Sequence, residues 1–135
     1  MSRSTVRVDT SSSRASVSAV IRPRRRNSNT SETLFCSGQT ATDPDGRPQH
    51  EGDMAAQLAL TLDNLEAVLT KAGMSLANLV RLTVYTTDVD QLLSHYNVLT
   101  RRLAAAGATP PTTMLGVTRL AIPTQLIELE ATAAA

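Results

Sequence analysis

Two carboxylates near the end of the chain, Glu128 and Glu130, have the residue type and spacing for chemistry. They sit in Gln125-Leu126-Ile127-Glu128-Leu129-Glu130-Ala131, a run that alternates apolar and polar residues as a half-buried strand does. Side chains alternate across a strand, so Ile127, Leu129 and Ala131 share one face, and Leu126, Glu128 and Glu130 share the other. A carboxylate on a sheltered face gains a raised pKa and can act as a general base or orient a hydrolytic water. Glu128 can equally serve as a polar group bound at a subunit seam, and Glu130 reads better as an acceptor at such a seam.

The other reactive side chains are less well placed. Cys36 lies between Phe35 and Ser37 with no neighbouring base, and reads as a small buried hydrophobe. Ser94 and His95 are adjacent on a helix, so they do not face each other as a triad requires. Asp88 and Asp90 read as helix-cap acceptors rather than metal ligands. One cysteine and two distant histidines make no zinc-type cluster, and no cofactor is expected.

Several elements must position these groups. Residues 34–40 read as a strand, followed by the turn Asp43-Pro44-Asp45-Gly46. Over residues 53–72, Met54, Leu58, Leu62, Leu65, Val68, Leu69 and Ala72 recur at spacings of three and four, which predicts an amphipathic helix stopped by Gly73. Residues 79–86 alternate Val80, Leu82 and Val84 with Arg81, Thr83 and Tyr85, predicting a strand. A second helix is expected from a cap at Asp88 or Asp90 to Gly107, with Leu92, Tyr96, Leu99, Leu103 and Ala106 inward. Pro110-Pro111 precedes a strand near 113–117, and a loop through Pro123 leads to the last strand. Two one-sided helices cover only one face of a sheet, so the expected fold is an α+β two-layer sandwich. Its other face would expose Tyr85, Leu126 and residues around Met114 or Leu115, an apolar patch of the kind that marks an oligomer interface.

Bulk composition bounds the function. The 135 residues make one domain, 41% hydrophobic with a net charge of +1. Phe35, Tyr85 and Tyr96 are the only aromatics, too few for the stacking platforms of single-strand nucleic-acid binding, and nucleic acid is not an expected partner. No apolar run has membrane-spanning length, and a reducing, cytoplasmic setting is expected. Charge is uneven. Residues 1–30 carry seven arginines and eight serines against the single acid Asp9. This segment reads as a basic, largely flexible arm with a short edge strand at 17–21, ahead of a domain over 31–135. A targeting peptide or a nucleic-acid tether through Arg24-Arg25-Arg26 are alternative roles for the arm.

Several motifs occur in a familiar order. These are Leu34-Phe35-Cys36-Ser37-Gly38-Gln39-Thr40, the Asp-Pro-Asp-Gly turn, Gln57 through Asn64-Leu65-Glu66-Ala67-Val68-Leu69, and Ala72-Gly73-Met74. Leu79-Val80-Arg81-Leu82-Thr83-Val84-Tyr85-Thr86-Thr87-Asp88 and Ile127-Glu128-Leu129-Glu130-Ala131-Thr132-Ala133 follow. Over residues 33–133 the chain resembles the Rid (YjgF) family, also called the L-PSP endoribonuclease family. The resemblance implies a chorismate-mutase-like fold with a mixed sheet and two helices on one face, a homotrimer, and small-molecule clefts between subunits. It also implies hydrolysis of reactive enamines or imines to ketoacids and ammonia.

Carried over by position, Glu128 matches the glutamate that orients the hydrolytic water, and Ser37 and Gly38 match the strand end bordering the cleft. Thr112 stands where the deaminases carry the arginine that binds the substrate carboxylate, with Thr113 and Met114 following. Tyr96 occupies the position of a frequent cleft asparagine. Arg119, seven residues after Thr112, is a poor substitute for that arginine. The expected function is therefore imine or enamine hydrolysis without the carboxylate clamp. A non-catalytic, small-molecule-binding or regulatory trimer is the alternative. Ribonuclease action rests on the family label and has no catalytic residues of its own.

Overall fold

The structure, a computed structural model, describes the backbone of residues 19–26 and 29–135, with side chains from residue 32 onward. Five strands form one sheet in the order β1-β2-β5-β3-β4. They are β1 (Ala19–Arg26), β2 (Asn29–Gln39), β3 (Leu79–Thr86), β4 (Thr112–Gly116) and β5 (Ile127–Ala134). β1–β2, β2–β5 and β5–β3 are antiparallel, and β3–β4 is parallel, so the sheet is mixed. The sheet reaches back to Ala19, inside the segment read above as a flexible basic arm, because β1 pairs with β2 along its length from Ala19↔Cys36 to Arg26↔Asn29. Residues 1–18, including Val17 and Ser18 of the expected edge strand, lie outside the described residues.

Helix α1 (Met54–Lys71) starts where expected, with the Asp53 carboxylate accepting from Ala56 N at 3.0 Å. It stops at Gly73, whose φ of 73° suits only glycine well, while Met74 N returns to Leu69 O at 2.8 Å. Met54, Leu58, Leu62, Leu65 and Leu69 are fully buried against Leu34, Leu82, Val84, Ile127 and Leu129 of the sheet. The second expected helix is two: α2 (Val89–Ser94), capped by Asp88, and α3 (Asn97–Ala105). Ser94 Oγ donates back to Asp90 O at 3.1 Å, which bends helices, and the next bonds tighten to three-residue spacing, His95 N to Leu92 O and Val98 N to His95 O. Leu92 and Leu99 nevertheless both reach the core. Arg102 of α3 ties the helical layer together by donating to Asp63 and, at 2.9 Å, to Glu66 of α1. No described helix is long and apolar enough to cross a membrane.

Three expectations about faces are corrected. Val80 is exposed and Leu79 takes the buried place, because the β3–β5 register shifts between Leu79 and Arg81. Met114 packs on the helical side, paired with buried Val84. Leu126 also packs against the core rather than beside Glu128, because the last strand begins at Ile127 and not at Gln125.

What precedes β5 is held by side-chain amides in place of a ladder. Gln125 is buried, accepting from Ala41 N at 2.7 Å and donating to Ala41 O at 3.2 Å. Fully buried Gln57 donates to His50 O and Thr124 O, both at 3.0 Å, and accepts from Leu126 N at 2.7 Å. Gln57→Leu keeps the volume but strands three polar backbone groups, so it is expected to cost on the order of 3 kcal/mol in urea unfolding. A loss below about 1 kcal/mol would show that water replaces the amide without difficulty.

Candidate functional site

Glu128 and Glu130 face away from the helices because the phase of β5 is pinned just upstream. Leu126 N is held by Gln57, and Leu126 O accepts from Thr86 Oγ1 at 2.8 Å and from Thr87 N at 3.1 Å. From that point alternate residues bury Ile127, Leu129, Ala131 and Ala133. Residues opposite one another on neighbouring strands share a face. The open face therefore carries rows: Glu128 beside Tyr85 and then Leu115, Glu130 beside Thr83 and then Thr113, and Thr132 between Phe35 and Arg81. Phe35 and Leu115 are 44% and 46% exposed there.

β2 bulges beside Glu128. Cys36 pairs with Ala131 and Gln39 with Leu129, three steps on one strand against two on the other. Gly38 sits in this bulge, and the Glu128 side chain lies directly against it: a Cβ on Gly38 would fall 1.8 Å from Oε1. Loss of solvent around the carboxyl raises the Glu128 pKa, and the charge of Glu130 adds to the rise. The ion pairs among the described residues are Arg47–Asp45, Arg102–Asp63 and Arg102–Glu66, none of which involves Glu128. A half-buried carboxyl with a raised pKa and no paired cation among the described residues suits exchange of a proton with water.

The structure brings together Gly38 and Glu128, and Ser37 precedes Gly38 on β2. Thr113 is on the same face, two strands away and one row along, about 12 Å from Glu128 by strand spacing and rise. Thr112 and Met114 alternate to the helical side; the Thr112 hydroxyl donates to Pro110 O at 3.0 Å and Met114 packs on the core. Tyr96 lies at the break between α2 and α3, also packed against the core. Within one protomer, then, Tyr96, Thr112 and Met114 are separated from Glu128 by the sheet. Among the described residues Arg119 donates to the adjacent Leu120 O, at a long 3.5 Å. Burial pushes the Cys36 thiol up to about 11, so it stays protonated and unreactive at neutral pH.

One neighbour of the site was read from the sequence only as part of an exposed face. Tyr85 is half-buried and directly opposite Glu128. Setting the alternation of 79–86 against that of the last strand carries the signal, but the pairing register is needed to bring the two residues together.

A mixed sheet with one helical layer and a carboxylate on its bare face defines an α+β protein of the YjgF type. A crystal structure from Thermotoga maritima, described as an endoribonuclease candidate, superposes with a TM-score of 0.71 at 30% identity, over 87% of this chain and 84% of that one. Escherichia coli TdcF with bound serine superposes with a TM-score of 0.69 at 28% identity, over 76% and 80%. The RutC family protein YjgH of Escherichia coli is 33% identical over 90 residues, 67% of each chain. The family profile described as endoribonuclease L-PSP matches residues 16–135, and the chain belongs to that family, the Rid/YjgF proteins.

The environment of Glu128 predicts a pH effect with a definite sign. Folding raises its pKa, so the folded chain holds this proton to higher pH than the unfolded chain. The contribution of this group to stability is full at low pH and is lost as pH rises from the ordinary carboxylate range through the raised value. Glu130→Gln should lower the Glu128 pKa, seen by carboxyl-carbon NMR titration, and flatten that loss. An unchanged titration would mean that Glu130 is screened from its neighbour.

Proposed function

We propose that the protein is a homotrimer, associated through its helix-free sheet faces, that hydrolyses reactive imines or enamines in clefts between subunits. The observation that carries this reading is the Glu128 carboxyl, seated against Gly38 with a raised pKa. In this mechanism the Glu128 carboxylate takes a proton from water as the water oxygen attacks the imine carbon. Glu128 returns that proton to the nitrogen, giving the neutral carbinolamine, and the hydroxyl proton then passes by way of Glu128 to the same nitrogen as the C–N bond breaks, leaving a carbonyl product and ammonia. Apolar Phe35 and Leu115 on the bare face support its being covered by other copies. The same packing would bring the residues of another subunit toward Glu128. A relative holding serine supports a small polar metabolite as ligand, and the buried, reduced Cys36 fits a cytoplasmic setting.

The substrate is one that needs no guanidinium clamp. Thr112 offers only a hydroxyl, already donating to Pro110 O. Charge-assisted bonds contribute about 1.5–3 kcal/mol each, so a carboxylate held without arginine binds about a hundredfold more weakly. Thr112 is also the observation that favours the second reading, a trimer that binds small molecules without turning them over.

Ammonia release beside an amino-acid oxidase that generates imines separates the two. Wild type should exceed buffer for some amino acids, and Glu128→Gln should reduce that excess by about a hundredfold or more. Wild type indistinguishable from buffer across acidic, polar and apolar amino acids would leave binding as the function. Assembly is tested by sedimentation equilibrium. Wild type is expected at three protomer masses, and Leu115→Glu, which puts a charge on the proposed seam, at one. A lone wild-type protomer would refute the trimer.

A further inference from the structure

We propose that Gly38 is the positioning residue for Glu128: the space left by its absent side chain is a seat that fixes where the Glu128 carboxyl lies. The inference deepens the proposed function and rests on Glu128 being the group that handles water. A Cβ at Gly38 would stand 1.8 Å from Oε1, 2.7 Å from Cδ and 3.1 Å from Cγ of Glu128, so the whole outer half of the side chain occupies that space. Gly38 has no left-handed backbone, unlike Gly46, Gly52, Gly73 and Gly107. Glycine is therefore required here for room and not for conformation.

The seat follows from the sheet. The extra residue between Cys36 and Gln39 kinks β2 at Gly38, next to the strand that carries Glu128. On the other side Tyr85 is the cross-strand partner, so the carboxyl is flanked by backbone on β2 and a phenol on β3. A glutamate has three side-chain torsions, and a free one would sample several rotamers in solvent. Held in the seat, it keeps one position and loses water on its Gly38 side. The titratable groups facing it are Tyr85 from β3 and Glu130 from its own strand; on β2, Cys36 points to the core.

The test uses the full chain and needs no known substrate. Gly38→Ala should expel the carboxyl and bring the Glu128 pKa back toward the ordinary range by carboxyl-carbon NMR. Gly116→Ala is the control: its Cβ would press on Val89 Cγ2 at 3.0 Å, a packing contact on the helical side, and Glu128 should titrate as in wild type. Glu128→Asp shortens the side chain by one methylene, making room for the alanine methyl. Gly38→Ala should therefore perturb stability and titration much less when combined with Glu128→Asp than alone. Where imine hydrolysis is measurable, Gly38→Ala should lower kcat about tenfold or more, leave KM nearly unchanged, and shift the acid limb of the pH profile with the NMR value. An unaltered Glu128 titration in folded Gly38→Ala would overturn the inference. So would a double variant as damaged as the sum of its parts. If Gly38→Ala alone does not fold, recovery of folding in the double variant supports the seat, and its absence overturns it. A wild type without hydrolase activity would defeat the functional reading while leaving the titration to decide the role of Gly38.

Discussion

A single backbone unit, Leu126, sets the phase on which the open face depends. Its N–H goes to a buried Gln57 carboxamide, and its carbonyl accepts from Thr86 and Thr87. Strand side chains repeat every two residues, so a slip of one residue would send both glutamates into the apolar layer and Ile127 and Leu129 into solvent. Burying two unpaired carboxylates is far costlier than any other arrangement open to this sheet. The hydrophobic pattern and the amide clamp therefore choose the same register. Gln57 also holds the carbonyls of His50 and Thr124, so the loop before α1 and the loop before β5 are fastened by one side chain.

The helical layer accounts for the bareness of the opposite face. α1 lies along the sheet, and α2 with α3 fills the remaining width, with Arg102 clipping α3 to α1. With the described helices on one side, the residues out of phase with the core are left without helical cover among the described residues. In β3, β4 and β5 these residues are a mixture: Tyr85 and Leu115 are suited to burial, whereas Thr83, Thr113, Glu128 and Glu130 require hydrogen bonds or water. A face that is partly greasy and partly ionisable fits a seam with wet crevices better than a continuous dry interface.

Much of this was legible from residue order. The amphipathic stripe of α1, a cap for the next helix at Asp88 or Asp90, and the alternation of Ile127, Glu128, Leu129 and Glu130 are local signals, and local signals survive in the fold. The misplacements share a cause in tertiary context. Val80 belongs to an alternating pattern that a bulge interrupts, and a bulge follows from how β5 pairs with β3, not from β3 itself. Leu126 looks like strand because its neighbours alternate, yet a glutamine 69 residues earlier takes its N–H before the ladder starts. Gln57, Asn64 and Gln125 are polar types that carry no local sign of burial, yet two of them are buried and all three bond to distant backbone. The Gly38–Glu128 contact was legible as two motif positions and illegible as a contact, since strand order β2-β5 cannot be read from either segment alone.

Covering the open face would act on the same carboxyl that the bulge already desolvates. A second copy laid over β5 would remove more water from Glu128, which favours its protonated form. Association and protonation are then linked: a proton bound more tightly in the assembly than in the free protomer stabilises the assembly by the same free energy. Tyr85 supplies a hydroxyl beside Glu128, and Arg81, further back along the same strand, a cation, so a neighbouring copy has both a donor and a counter-charge with which to limit that cost. Chemistry at Glu128 needs a carboxyl balanced between its two forms, and that balance requires enough desolvation to raise the pKa but not enough to keep the group neutral. The bulge at Gly38 sets the Glu128 carboxyl against β2 within one chain, and a covering copy would add to that loss of solvent.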